Sequence, residues 1–386
     1  MASYPATPSR RVLSVPEDDL ADLKHRLAAT RWPAAWPGAQ ERGWAAGTPL
    51  SELRRLAGAW RDSYDWRHHE TQINALPWAE ADIGGVVVRY LCFEAEPADC
   101  ALPLVLTDGW PSSFWELIGL ARRLAEPSRW NGDAEDAFTV VVPCLPGFPL
   151  TPQQPELADA VPVHELWHRL MHDELGFTRY GAHGGDLGAG VTSLLAQDHP
   201  DAVVGIHLLS IAEPRGYDPG GVTPEEQQHL DALTRWFADE GAYEHQQMTR
   251  PVTLGYGLSD SPAGLLAWIV EKYWAWSDHG GRLSSVFSDD DILTQASLYW
   301  FTNSIGTSFR PYWEFGAGLA DAVEQVGVPT AIALFPKDLS SPPRSWAERL
   351  YRVTRYTRMP RDGHFAPHEQ PGLLAADLTA FFRGLR

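Results

Sequence analysis

Residues 181–190 read GAHGGDLGAG, with a carboxylate, Asp186, at the centre of a glycine-rich turn. The run YGAH (180–183) before it suits a short strand, and the residues from Leu187 onward suit a helix. Gly184-Gly185-Asp186-Leu187-Gly188 therefore has the form G-x-nucleophile-x-G between a strand and a helix, the setting of a nucleophile elbow. Such a turn brings backbone atoms too close for a Cβ at its flanks, which calls for glycine there. It also projects its central side chain above the sheet. A carboxylate so placed can attack a saturated carbon and form an ester that water later cleaves, whereas a serine would attack a carbonyl carbon. The plainer alternative is that Asp186 caps the following helix, since aspartate is a favoured N-cap residue. The turn alone does not decide between the two.

Outward from the turn, strands alternate with helices. PLVLTD (103–108), TVVVPCL (139–145) and GIHLLS (205–210) read as strands, and helices are expected from Ser112, around 161–175 and from Leu187. That alternation predicts an α/β fold with a mostly parallel sheet. From 213 to 320 the rhythm lapses into a Trp- and Tyr-rich, mainly helical stretch, and it resumes with PTAIALF (329–335). An insertion of this kind is expected as a cap over the C-terminal edge of the sheet, where such folds bind ligands. Upstream, VPEDDLADLKHRLAATRWP sets Leu20, Leu23 and Leu27 at helical spacing and stops at Pro33. PLSELRRLAGAWRDSYDW repeats the pattern with Leu53, Leu56 and Trp60. AEADI and VVVRYLCF around Gly84 and Gly85 read as a hairpin. The expected organisation is an N-terminal helical extension with the first hairpin (1–95), a first core segment (96–212), a helical cap (213–320) and a second core segment (321–386).

The 386 residues, 44% hydrophobic and 21% charged, describe a soluble globular chain large enough for a sizeable core. A formal charge of −19, spread without an acidic tail, argues against nucleic acid or an anionic membrane as partner and for a small, uncharged ligand. MASYPATPSRR carries no apolar segment after its arginines, so neither leader nor membrane anchor is expected and the cytoplasm is the expected location. Cys92, Cys100 and Cys144 show no metal-type spacing and fit a reducing compartment. Arginine far outnumbers lysine, a bias of GC-rich bacterial genomes. No cofactor is called for, and a homodimer is an open expectation.

Chain order favours the nucleophile over the cap. α/β-Hydrolases run nucleophile, acid, histidine, and here Asp186 is followed by Asp338, just after the strand AIALF, and by His364 in RDGHFAPHEQP. With these in place, LKHRLAATRWP, YDWRHHE, DGWPSSFWE, GGDLG, YEHQQMTRPVTLGYGLSDSPAGLLAWIVEK, LYWFT, FRPYWE, FPKD, PPRSWAER and GHFAPHEQP follow one another along nearly the whole chain. In this the sequence resembles the microsomal-type epoxide hydrolases, a branch of the α/β-hydrolase fold with an extra N-terminal segment. Among bacterial relatives it is similar to those of natural-product pathways such as enediyne biosynthesis.

The resemblance implies that Asp186 is the nucleophile, His364 the base that activates water, and Asp338 the carboxylate that orients His364. It implies two cap tyrosines, matched here by Tyr243 and Tyr312, and backbone oxyanion donors at Trp110 and Leu187. Opening an oxirane leaves an alkoxide, and phenols can hydrogen-bond and protonate that oxygen as the C–O bond breaks. Trp110 and Trp300 are expected to line the substrate pocket, and the tryptophans of the cap suggest an apolar or aryl epoxide. Two positions depart from the family. Asp108 stands where His-Gly-Trp-Pro is usual, and its charge is expected to raise the pKa of the nucleophile. Leu187 replaces a usual tryptophan and should widen the pocket.

Three readings compete. His164-Glu165-Leu166-Trp167-His168, extended by His172, satisfies the zinc protease pattern H-E-x-x-H. The motif is short, however, and surface or packing histidines account for it better, so no metal is expected. A haloalkane dehalogenase shares the aspartate and histidine but binds the leaving halide with indole or amide N–H groups, and 17 tryptophans are present. A non-catalytic ligand-binding homologue is motivated by Asp108.

Overall fold

The strands β3 (Leu102–Thr107), β4 (Phe138–Pro143) and β6 (Val203–Leu208) are apolar along nearly their whole length, as strands covered on both faces must be. Successive side chains point to opposite faces. Leu104, Leu106, Val140 and Val142 thus enter one core, while Val105, Val141 and Ile206 enter the other. The first face is covered by helices Phe114–Ala125 and Pro371–Phe382, the second by Val163–His168 and Leu187–Asp198. This computed structural model describes residues 11–34, 36–96, 101–154 and 160–386. The first ten residues, on which the expectation of no leader rests, and Cys100 lie outside them.

With β1 (Trp78–Ile83), β2 (Val86–Phe93), β5 (Tyr180–Gly184), β7 (Val326–Leu334) and β8 (Tyr351–Arg358), the sheet has eight strands in the order β1-β2-β4-β3-β5-β6-β7-β8. The pairings β1–β2 and β2–β4 are antiparallel and the rest are parallel. The α/β-hydrolase fold with a helical cap is therefore present, and the hairpin at Gly84 and Gly85 extends its sheet. Between β6 and β7 the chain forms helices Pro224–Asp239, Ala242–Thr249, Pro251–Asp260, Pro262–Trp276, Asp289–Thr302 and Arg310–Gly316. Among the described residues no helix is long and apolar enough to cross a membrane.

Three local features differ from expectation. The second N-terminal run forms the expected helix, Leu50–Asp62, but an unexpected one, Trp66–Asn74, follows it, because the Asp65 side chain accepts the His68 N–H at 3.2 Å and starts it. The helix expected around 161–175 is regular only to His168 and continues through Arg169–Glu174 as a wider π-helical turn. The strand β8, YRVTRYTR, was not anticipated: its three arginines and two threonines mask the inward Tyr351 and Val353. The N-terminal helices also part company with the hairpin that follows them. Leu23, Leu27, Leu56 and Trp60 share a core with cap residues Leu265, Ile269, Tyr273 and Tyr299. Trp60 Nε1 donates to Ser297 Oγ at 2.9 Å and Thr48 Oγ1 to the Ala267 carbonyl at 2.8 Å. The extension is thus packed against the cap and the hairpin against the sheet.

Candidate active site

The chain passes from β5 into helix Leu187–Asp198 through a turn in which Asp186 has φ 48° and ψ −128°. A non-glycine residue at positive φ is strained and is kept only where the surroundings over-determine it. Here they do. A Cβ on Gly188 would stand 2.1 Å from the Thr107 carbonyl oxygen, and one on Gly109 would stand 1.9 Å from Asp186 Oδ1. The Asp186 side chain makes no capping hydrogen bond to its helix, which removes the capping alternative. Its Oδ1 instead accepts the Trp110 main-chain N–H at 2.8 Å. Leu187 opens the helix, where backbone N–H groups have no intrahelical acceptor.

Asp338 follows β7 and His364 follows β8, and both come to the turn. His364 Nδ1 lies 2.7 Å from Asp338 Oδ1, and His364 Nε2 lies 3.5 Å from Asp186 Oδ2. The histidine loop is held at several points. The His364 N–H donates to the Trp276 carbonyl at 2.8 Å. The Glu369 carboxylate accepts the N–H groups of Gly363 at 3.2 Å and Phe365 at 3.0 Å. Burial by itself favours a neutral imidazole, but Asp338 and Asp186 outweigh it and hold the His364 pKa well above the usual 6.5.

Above the carboxylate lie Tyr243 and Tyr312, both buried, with ring centroids 6.2 Å apart. Tyr243 stacks on Trp110 at 5.4 Å with planes 10° apart, and Tyr312 meets Trp110 edge-on at 6.2 Å. Burial first, and the Asp186 charge next, push both phenols well above the usual 10, so each keeps its proton. The buried Tyr312 Oη has no hydrogen-bond partner of ordinary geometry among the described residues.

Asp108 accepts the Gly109 N–H at 2.9 Å. Burial lifts its carboxyl to about 7, with His364 acting downward and Asp186 upward. Glu116 is lifted to about 8, by burial and then by Asp108, although Tyr273 Oη at 2.5 Å and Ser112 Oγ at 2.8 Å both bond it. At both carboxyls burial leads, and the like charge, Asp186 for Asp108 and Asp108 for Glu116, adds to it.

The family model described as "Epoxide hydrolase N terminus" matches residues 8–117, and one described as "alpha/beta hydrolase fold" matches residues 103–255. A Stigmatella aurantiaca protein named "Putative epoxide hydrolase" is 39% identical over 97% of this chain and 84% of its own length. Epoxide hydrolase 1 of Oryctolagus cuniculus is 30% identical over 95% of this chain and 86% of its own. The chain belongs to the epoxide hydrolase family. Among solved structures, Aspergillus niger epoxide hydrolase superposes with a TM-score of 0.83 at 30% identity, covering 97% of this chain and 95% of that one. Juvenile hormone epoxide hydrolase from Bombyx mori does so at 0.84 and 26% identity, covering 97% and 93%.

Within this epoxide hydrolase family member, one expected pocket residue stands apart. Trp300 lies under the Arg26 guanidinium, 5.9 Å from its ring centroid, on the side facing the N-terminal extension. It is partly buried against the cluster that holds Trp110, Tyr243 and Tyr312, and Trp276, another cap tryptophan, is the one that meets Trp110 and Tyr243 ring to ring. The Trp276 ring is 5.0 Å from Tyr243, 5.2 Å from His364 and 6.3 Å from Trp110. Its helix runs apolar on several sides, so periodicity could not single it out. Glu244, adjacent to Tyr243, was also missed. Burial and then Asp186 raise its carboxyl to about 7.

Proposed function

We propose that this chain hydrolyses a hydrophobic epoxide to a vicinal diol through a covalent ester on Asp186. The observation that carries the reading is the strained, uncapped Asp186 carboxylate held against His364 beneath two protonated, buried phenols. Asp186 Oδ2 attacks an oxirane carbon, the C–O bond breaks, and Tyr312 or Tyr243 gives its proton to the departing oxygen. Oδ1, already bonded by the Trp110 N–H, becomes the ester carbonyl. Esterification also removes the Asp186 charge, one of the two that hold the His364 pKa high. The imidazole then loses its proton more readily and can take one from water, while Asp338 keeps its orientation. The proton that the imidazolium gives up restores the phenol. Water then adds to Cγ of Asp186 as the imidazole takes its proton, and Oδ1 carries the oxyanion against the Trp110 and Leu187 N–H groups. On collapse the imidazolium returns that proton to the old Oδ2, which leaves in the diol, while the proton left on the new carboxyl recharges His364.

A single turnover of a styrene-type epoxide in heavy-oxygen water tests this. The label should appear in Asp186, and label found only in the diol would overturn the ester route. The buried indole N–H groups of Trp110 and Trp276 lack acceptors among the described residues and favour a second reading, halide release by a dehalogenase-like hydrolase. Bromide liberated from a bromoalkane faster than any epoxide is opened would establish it. Epoxide binding without either product would instead mark a non-catalytic homologue. The reading includes a cytoplasmic enzyme, supported by Cys92 and Cys144, which form no disulfide among the described residues. It also includes a homodimer, supported by Val252 and Tyr256, exposed one turn apart on helix Pro251–Asp260.

A further inference from the structure

The H-E-x-x-H stretch is not used by the reaction, yet it does not fold into scattered histidines. Donor atoms of His164, Glu165 and Asp198 lie within 4.8 Å of one another. His164 Nε2 is 3.1 Å from Asp198 Oδ2, and His199 Nε2 is 2.6 Å from Glu165 Oε1. His164 is buried, while both carboxylates are partly open to solvent. The second histidine of the motif does not join. His168 Nδ1 pairs with Tyr180 Oη at 3.0 Å, and its ring stacks on His199 at 3.5 Å with planes 2° apart. The two motif histidines therefore do not share a metal as a zinc protease requires. His168 instead walls the cluster and fixes the plane of the His199 ring.

We propose that His164, Glu165 and Asp198 form a zinc site that ties helix Val163–His168 to the C-terminal end of helix Leu187–Asp198, with His199 bonded to Glu165 at its rim. One imidazole nitrogen and two carboxylate oxygens, with water as the fourth ligand, are a donor set that suits zinc. With metal–ligand distances of about 2.0–2.1 Å, tetrahedral donors stand roughly 3.3 Å apart. The His164–Asp198 pair, at 3.1 Å, already has that spacing. Both carboxylates are partly open to solvent, and Asp198 Oδ1 is met by Gln197 Nε2 only at 3.4 Å, so rotation of the two side chains brings Glu165 to the same spacing. Paired imidazoles and carboxylates also satisfy one another without metal, so the cluster is stable either way and zinc adds a closed clamp. The site is not part of the chemistry: the 12 residues of helix Leu187–Asp198 separate it from Asp186 by about 18 Å. Zinc there would stabilise the helix whose first turn carries the nucleophile.

The test uses the whole chain, freed of metal by chelation and titrated calorimetrically with zinc chloride, with thermal unfolding followed in parallel. One equivalent should bind and raise the melting temperature. Glu165→Gln and Asp198→Asn, at accessible positions, should each weaken binding by about tenfold or more and abolish the zinc-dependent rise, while unfolding of the metal-free variants stays near wild type. Epoxide turnover should be the same with and without zinc. No uptake of zinc, or uptake that both variants retain, overturns the site. Because the readouts are binding and melting, its failure is distinct from failure of the epoxide hydrolase reading.

Discussion

On the sheet side of the pocket, Asp186, Asp338 and His364 direct their hydrogen bonds to one another and to the Trp110 and Trp276 backbone. On the cap side, Trp276 Nε1 is buried with no partner among the described residues, and Tyr312 Oη has only the neighbouring phenol of Tyr243. Nearly all buried polar groups in folded proteins are paired, and each one left alone costs about 1–3 kcal/mol. Orphan donors gathered over one carboxylate are therefore informative. The floor holds the Asp186 carboxylate in a strained but fixed pose, with the buried Trp110 indole N–H left over among the described residues. The roof is complete only when an oxygen acceptor arrives, which is where the charge of a ring-opened epoxide develops.

The floor should be the most sensitive part. Asp186→Asn should lower turnover by at least about 10⁴-fold, provided mass spectrometry verifies that the amide has not reverted to acid. Wild-type turnover by a verified amide would defeat the nucleophile assignment. His364→Gln should leave alkylation running and stop hydrolysis, with steady-state turnover down by about 10³-fold. A substrate-mass adduct on the Asp186 peptide is the expected signature. Free enzyme alone, after substrate has been consumed, would remove His364 as the base.

The roof should matter less, because two phenols share one task. Tyr312→Phe should slow alkylation by about 10²-fold and leave hydrolysis of the preformed ester unchanged in a rapid-quench experiment. Equal alkylation rates would end the distinction between floor and roof. Tyr243→Phe should act in the same direction, with an added loss of affinity if its stacking on Trp110 shapes the pocket.

Between the two regions lie Asp108 and Glu116, whose carboxyls titrate near 7 and 8. In the unfolded chain both ionise at ordinary acid pH, so from about pH 4 upward the folded state binds more protons than the unfolded one. Stability is then greatest on the acid side of that window and falls as pH rises through the folded pKa values. Asp108→Asn removes most of the fall attributable to that residue, a few kcal/mol in scale. Melting temperatures at pH 5 and pH 8 should differ by several degrees less in the variant than in wild type. An identical difference would mean that the family's histidine was replaced without electrostatic consequence.

How far the sequence could be read follows from the range of the contacts involved. The elbow, the strand alternation and the order Asp186, Asp338, His364 rest on local pattern and chain order, and all are visible in one dimension. The core strands were legible because burial on both faces leaves them apolar throughout, as in FTVVVP. β8 was not, because it is a sheet edge whose Arg355 is paired with Asp377 rather than with a hydrophobic neighbour. The Glu116–Tyr273 bond spans 157 residues, and the placing of Trp276 beside His364 depends on how a cap helix meets a loop from the other end of the chain. No periodicity carries that information. The zinc-like motif was legible as a pattern and misleading as a function, since only the fold brings Asp198 and His199 to His164 and Glu165.

The smallest expected effect bears on the same point. Tryptophan abundance suggested Trp300 as a pocket wall, but its ring is turned toward Arg26 of the N-terminal extension, and Arg26 in turn bonds Asp260 of the cap at 2.7 Å. A cation over an indole at a partly exposed position contributes about 0.5–1 kcal/mol. Trp300→Ala should therefore loosen the extension by roughly 1 kcal/mol plus its share of packing, seen as a lower melting temperature. Its kcat/KM should stay within about twofold of wild type, since only groups that act on the transition state move that ratio further. Trp276→Ala, next to His364 and Tyr243, should reverse the balance and lose activity beyond what its stability change explains. If Trp300→Ala lost activity to the same degree, the N-terminal extension would have to be counted as a wall of the pocket rather than as a brace on the cap.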